Sequence, residues 1–177
     1  MIEIRIIDEA RKADVRLPNE PFPLIGRMIP ACADGIWSCR VERFPPEAVT
    51  EMCFPDEDYD LASAGGDTVF LGAYEGEKCV GLAVLRRDMF RYLYLDDLKV
   101  SAPYRGQGVG KALIGKAREI AAEWGCIGLY TIGQDDNLAA CLFYLGCGFE
   151  IGGFDNRIYR GTSQEHKANI LFYLDNP

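Results

Sequence analysis

Apolar and polar positions alternate with a period of two over several short stretches and with a helical period over one long stretch. Ile2–Ile7 reads as a strand. Residues Pro18 to Pro30 hold four prolines and read as a loop, with one largely apolar piece at Leu24–Ile29. Ile36–Phe44 alternates and reads as a strand, and Pro45–Cys53, opening on two prolines, reads as a short helix. An acidic run, Asp56–Asp60, is followed by a break at Gly65-Gly66. Thr68–Tyr74, a turn at Glu75–Lys78, Cys79–Arg86 and Arg91–Val100 then read as a β meander.

The long helical period covers Gly108 to Trp124. Val109, Ala112, Leu113, Ala117, Ile120, Ala121 and Trp124 form its apolar stripe, and Gly125 fits its C-terminal stop. Ile127–Ile132 is uncharged, as in a strand covered on both faces. A shorter helix is predicted over Asn137–Leu145, ending at Gly146. Phe149–Gly152, Arg157–Tyr159 and Asn169–Leu174 read as late strands. The edge of the last, Ile170–Leu174, is a candidate for pairing with a second copy in a homodimer. Strands first, then strand–helix–strand–helix–strand, predict an α/β (α+β) fold: a mixed sheet covered by helices, in a single domain over residues 1–177.

Composition narrows the function. Of 177 residues, 49% are apolar and 26% charged, which suits a chain that buries about 70% of its extended surface. No apolar run approaches the roughly 20 residues a membrane helix needs, so no membrane partner is expected. The first residues lack a basic stretch leading into an apolar one, so secretion is not expected either. A net charge of −8 and a pI near 4.7 argue against nucleic acid as a partner. The acidic stretches (Glu42, Glu47, Glu51, Asp56–Asp60) are either steering groups for a polycation or solvated surface. The seven cysteines, Cys32, Cys39, Cys53, Cys79, Cys126, Cys141 and Cys147, form no CxxC pair. With one histidine, His166, in a polar surface stretch, they offer no zinc spacing, and no metal is expected. Free and mostly buried thiols in a reducing cytoplasm are the expectation.

The segment that carries chemistry runs from Asp96 to Ala112. A strand ends at Val100, Pro103 blocks its extension, and Arg105-Gly106-Gln107-Gly108-Val109-Gly110 opens the long helix. Glycines uncover the backbone amides, and a helix start adds partial positive charge, so the turn can cradle a diphosphate. Arg105 and Lys111 can add charged contacts. The Walker loop does not fit, because Gly110-Lys111 is followed by Ala112 rather than a hydroxyl residue.

The run Arg-Gly-Gln-Gly-Val-Gly resembles the signature of the GNAT superfamily of N-acetyltransferases. The segment from Asn137 to Phe149 is similar to that family's second element. A narrower resemblance, to the streptothricin acetyltransferases, covers Asn19–Pro30 with Trp37, Arg91–Val100 and Lys167–Leu174, and is weaker over Phe44–Gly66. The resemblance implies a mostly antiparallel mixed sheet splayed in a V, with acetyl-CoA as co-substrate. It places the cofactor against the turn (Arg105, Gly106, Gln107, Gly108, Val109, Gly110, Lys111) and Asn137. It makes Tyr144 the acid for the departing thiolate, and it implies a cationic small-molecule amine, streptothricin, as acceptor. Another amine, or an acyl-CoA sensor without turnover, is the alternative.

The residues add a base. Strict alternation puts Asp96 with Leu98 and Val100 on one face of their strand, and Asp97 with Leu95 and Lys99 on the other; a bulge would swap this. One of the two aspartates is expected to take the amine proton, with Asp96 favoured, while the backbone near Leu98 and Val100 holds the acetyl end. Cys141 and Cys147 have no histidine nearby in sequence to activate them, so direct transfer in a ternary complex is expected.

Overall fold

The meander expected between Thr68 and Val100 is present in the computed structural model, which describes residues 1–62, 64–88 and 90–177. Ser63, in the stretch of weaker resemblance, and Met89 lie outside the described residues. Contacts divide the chain into two compact units. The first comprises Met1–Glu20, Cys53–Leu129 and Asp175–Pro177, and the second comprises Pro21–Met52 and Tyr130–Leu174.

In the first unit, β1 (Ile2–Ile6), β6 (Thr68–Glu75), β7 (Lys78–Arg87) and β8 (Tyr92–Val100) lie side by side in that order, antiparallel throughout. The β6–β7 turn is tight because Gly76 takes φ +60°. One face of these strands receives α1 (Val109–Glu123) through Val109, Leu113, Ile114, Ala117, Ile120 and Ala121. Ala112, expected in that stripe, is exposed, and Ile114 takes its place. Gly81 lets α1 approach: a Cβ there would stand 3.3 Å from the Leu113 side chain. The other face carries a cluster of Ile7, Val15, Phe70, Leu82 and Val84, covered by Leu17, Tyr59 and Leu61. Val15 comes from a 3-10 helix at Glu9–Arg16 that the sequence pattern did not announce. The helix α1 stops as expected: Gly125 is left-handed, and the amides of Gly125 and Cys126 donate to the carbonyls of Ala122 and Ala121.

In the second unit, β9 (Gly128–Gln134), β11 (Asn169–Asp175) and β10 (Glu150–Asp155) are adjacent in that order, joined by α2 (Leu138–Gly146). The proline-bearing segment is not a loop. It forms β2 (Phe22–Leu24), paired with β5 (Thr50–Met52), and β3 (Gly26–Ala33), paired with β4 (Ile36–Arg43). The helix expected over Pro45–Cys53 is a single 3-10 turn at Pro46–Ala48, after which the chain extends into β5. Arg157–Tyr159 is a turn rather than a strand, because Asp155 Oδ1 accepts from the amides of Arg157 (2.8 Å) and Ile158 (3.1 Å). The tail strand is no free edge: β11 lies between β9 and β10. The left-handed stop of α2 is Gly148 (φ +92°) instead of Gly146.

The thiols are free, but only Cys141 is buried; Cys32, Cys39 and Cys53 are exposed. The first two ride on the β3–β4 ribbon, a two-stranded pairing whose second strand is exposed along most of its length. No helix among the described residues is long and apolar enough to cross a membrane.

Candidate active site

β8 departs from strict alternation beside the aspartate pair. Asp97 opposes Val84, but Leu95 opposes Leu85, so Asp96 is the extra residue of a β-bulge. The bulge changes the faces predicted by alternation. Leu95 falls in with Leu98 and Val100 on the side of Leu85, Ala83 and Gly81. Asp97 and Lys99 oppose Val84 and Leu82, on the side of the Tyr59 cover. Asp96 does not join Leu98. Its Oδ2 accepts from Arg86 Nε at 2.5 Å. Both carboxylates therefore lie close enough to the Tyr59 hydroxyl to push its pKa up, after burial, together with Glu57.

The acidic run supplies the rest of this face. Asp56 Oδ1 accepts from the Asn19 amide at 2.6 Å, and Arg16 holds the Tyr59 carbonyl at 2.9 Å and Asp58 at 3.2 Å. These clamps fold Glu57 and Tyr59 inward while Asp56, Asp58 and Asp60 stay exposed. Glu57 Oε2 accepts from Lys99 Nζ at 2.5 Å and from Asn19 Nδ2 at 3.0 Å. Lys99 Nζ also stands 3.2 Å from Asp97 Oδ2, in ion-pair contact but off hydrogen-bond alignment. Burial pushes the Asp97 carboxyl above the usual Asp range. The Lys99 ammonium opposes the rise, and the Glu57 and Asp96 charges add to it. Tyr94, lifted to about 12 by burial and by Asp96, borders the same carboxylates. Lys99 and Tyr59 were not singled out by sequence pattern as site residues, and Glu57 entered only within the Asp56–Asp60 run, read as steering groups or solvated surface.

The glycine turn has the geometry an anion cradle needs. Gly106 (φ +72°) and Gly108 (φ +83°) are left-handed, and a Cβ at either would meet open space. The helical ladder starts with the Ala112 amide donating to the Gly108 carbonyl at 2.9 Å, which leaves the amides of Val109, Gly110 and Lys111 outside it. Arg105 is not extended from the turn. Its Nε donates to the Val100 carbonyl (2.8 Å) and its Nη2 reaches Glu20 (3.4 Å), while Glu20 also takes the Ala102 amide at 2.6 Å. Gln107 Nε2 braces the Pro103 carbonyl at 2.6 Å. Arg105 and Gln107 thus shape the turn. Lys111 is exposed at its rim.

The second unit holds Asn137 and Tyr144. Asn137 caps α2, its Oδ1 accepting from the Ala140 amide at 3.2 Å. The Tyr144 ring is buried among Phe143, Phe149 and Phe172, with centroids 5.4–5.6 Å apart. The Phe149 amide donates to the Tyr144 carbonyl at 3.1 Å and closes the helix. Cys141, on the same helix face, has its thiol pushed up to about 12 by burial and by Asp135 and Asp136. Those two aspartates escaped the sequence reading. Asp135 accepts the Ala168 amide at 2.8 Å and lies 3.0 Å from Arg27 Nε, and Asp136 lies 3.6 Å from Lys167 Nζ. β3 joins the turn that carries them: the Met28 amide donates to the Asp135 carbonyl at 2.9 Å, and Gly26 bridges Asn137.

The family model described as the acetyltransferase (GNAT) family matches residues 29–149. Streptothricin acetyltransferase A of Bacillus subtilis (strain 168) is 36% identical over 90% of this chain and 92% of its own. The streptothricin acetyltransferase of Streptomyces lavendulae is 33% identical over 75% of this chain and 74% of its own. Among solved structures, a proposed streptothricin acetyltransferase from Bacillus anthracis str. Ames, in complex with acetyl coenzyme A, superposes over 100% of this chain and 98% of that one. Its TM-score is 0.86 and its identity 27%.

Proposed function

The chain belongs to the GNAT family of acetyltransferases, and from that premise we propose that it moves the acetyl group of acetyl-CoA onto the β-lysine amine of streptothricin, conferring resistance in the cytoplasm. The observation that carries the acceptor class is the acidic face of β8, where Asp96, Asp97 and Glu57 outnumber Arg86 and Lys99. Such a face attracts a cation and offers it a base. The full-length likeness to streptothricin acetyltransferases supports the antibiotic as that cation.

An alkyl ammonium is neutral in only about 1 molecule in 2,500 at pH 7, a cost of roughly 4.6 kcal/mol. The raised Asp97 carboxylate is assigned the proton. Asp96, committed to Arg86, helps attract the cation rather than acting as the base. The freed amine attacks the thioester carbonyl, and Tyr144 protonates the thiolate that leaves. The turn from Arg105 to Lys111 is assigned the nucleotide, and the backbone at Leu98 and Val100 the acetyl end; Asn137 is assigned a cofactor contact on the strength of the family resemblance alone. The Cys141 thiol, lifted to about 12, is too rarely ionised near neutrality to carry the acetyl group, which favours direct transfer.

A thiol-release assay with acetyl-CoA tests the reading against a panel of streptothricin, spermidine, an aminoglycoside and a lysine peptide. Turnover greatest with streptothricin, and growth protection of a sensitive bacterial host, are expected. Preference for another amine overturns the acceptor, and binding of acetyl-CoA without turnover on any of them overturns the activity.

A further inference from the structure

Lys99 is the charged residue of β8 to which neither the glycine turn nor the proton transfer assigns a part, yet it is nearly buried, its side chain 11% exposed. A lysine gives up hydration to lie there, so its ammonium must be compensated. The compensation is specific. Glu57 Oε2 lies at 2.5 Å and Asp97 Oδ2 at 3.2 Å, and the ring of Tyr59 stands 5.9 Å away. Each partner is itself held. Glu57 takes Asn19 Nδ2, Tyr59 is gripped at its carbonyl by Arg16 and packs edge-on against Phe70 at 5.6 Å, and Asp97 sits beside the bulge. Asp97 and Lys99 are two residues apart on one strand and so share a face without any adjustment of the backbone.

We propose that Lys99 is a positioning residue for the transfer: its ammonium, shared between Glu57 and Asp97, keeps the Asp97 carboxylate ionised and aimed for the incoming amine. The inference rests on Asp97 being the base. Two opposed demands meet at that carboxylate. A base must be ionised before substrate arrives, which burial resists, and it must be basic enough to accept a proton, which a cation at 3.2 Å resists. Glu57 settles the conflict by drawing Lys99 to the closer contact, so that Asp97 receives only part of the positive charge. The other groups facing Asp97 are Asp96 on its own strand, Arg86 on β7, Tyr94, and Tyr59 with its Arg16–Asp58 clamp. Among the described residues, only Lys99 and Glu57 lie in the ion-pair contact that reaches Asp97.

The sign of each change follows. Removing the ammonium in Lys99→Met leaves Asp97 harder to ionise. The acid limb of kcat/KM moves to higher pH, and activity below the limb falls about tenfold or more. Glu57→Gln removes a negative neighbour and releases Lys99 toward Asp97, so the limb moves to lower pH. Lys99→Arg keeps the charge and holds the limb near its original position. The experiment records kcat/KM for streptothricin against pH for the four proteins, with acetyl-CoA saturating and streptothricin varied. In parallel, the carboxyl carbon of Asp97 is titrated by 13C NMR, its signal identified by its loss in Asp97→Asn. Opposed shifts of the Met and Gln variants in both measurements establish the proposal. Opposed shifts in the NMR titration without movement of the kinetic limb show that Lys99 governs Asp97 but that Asp97 is not the base, and the role in transfer falls. An NMR titration unchanged by either substitution overturns the proposal and leaves the base assignment standing. If Lys99→Met does not fold, the Glu57→Gln and Lys99→Arg pair decides it: a Gln limb that fails to fall below the Arg limb overturns it.

Discussion

Each unit carries a pair of consecutive aspartates, Asp96-Asp97 in the first and Asp135-Asp136 in the second, and the two pairs live differently. In the second, both carboxylates are sealed. Asp135 and Asp136 are 5% and 4% exposed, and each has its own cation, Arg27 and Lys167. Each carboxylate there has a cation of its own, although burial and the Asp136 charge still push the Asp135 carboxyl above the usual Asp range, and the pairs fasten β3 and the Lys167 segment to the turn before α2. In the first unit a bulge turns the pair toward one face, where Asp96 keeps Arg86 to itself but Asp97 must share Lys99 with Glu57. Matched pairs hold a fold. An under-compensated carboxylate on a partly open face is available for chemistry.

The largest effect that separates the pairs is catalytic. Asp97→Asn is expected to lower kcat/KM by about 10²- to 10⁴-fold, the usual range for a lost general base, with acetyl-CoA affinity by calorimetry unchanged. A loss below tenfold would move Asp97 to the side of the sealed pair. Next comes stability in the second unit. Asp136→Ala strands a buried lysine, whose remaining contacts are Gln134 Oε1 at 3.2 Å and Met52 Sδ at 3.4 Å. It should cost about 3 kcal/mol in urea unfolding while kcat of the folded fraction holds.

Tyr144→Phe probes a residue that shares features of both pairs, since its ring is core and its hydroxyl is assigned to chemistry. With the ring packing kept, kcat should drop about 10²-fold with little change in Tm. A fall in Tm with kcat intact would make it a packing residue only. Gly108→Val asks whether the cradle depends on its left-handed backbone. A β-branched residue at φ +83° costs roughly 1–2 kcal/mol although its Cβ meets open space, and acetyl-CoA affinity should weaken along with it.

These contrasts explain what was legible beforehand. The meander, α1 with its Gly125 stop, α2 and the glycine turn follow from local period and local backbone demand, and all are where the pattern put them. The Asp96-Asp97 pair drew notice because it precedes that turn in the chain. Its facing stayed open between strict alternation and a bulge, because a bulge has no sequence signal of its own: Asp96 is an extra residue only relative to β7. That Glu57 and Tyr59 meet Lys99 was invisible for a related reason. They reach Lys99 across some 40 residues of chain, through clamps from Arg16 and Asn19 that no periodicity encodes. β2 and β3 were hidden by prolines, which an edge ribbon tolerates and a central strand does not. Asp135-Asp136 carried no motif at all, and its partners, Arg27 and Lys167, come from opposite ends of the chain.

The smallest expected effect is also the one in which the two pairs should differ in sign. Burial holds the folded pKa of Asp97 above its unfolded value. Between those two values the native state binds more protons than the unfolded chain, so stability falls as pH rises through that window and stays lower above it. Asparagine has no charge to bury, and Lys99 keeps Glu57 at 2.5 Å. Asp97→Asn should therefore melt slightly higher than the wild-type protein at pH 7, and the gain should vanish in acid, where the wild-type carboxyl is protonated in both states. Asp136→Asn deprives Lys167 of its counter-charge and should melt lower at pH 7. Calorimetric melting of the wild-type protein and the two variants from pH 3 to pH 8 reads both signs. If Asp97→Asn also melts lower at pH 7, its carboxylate stabilises the fold through its cation as Asp136 does, and a base poised by incomplete pairing is not what the first unit contains.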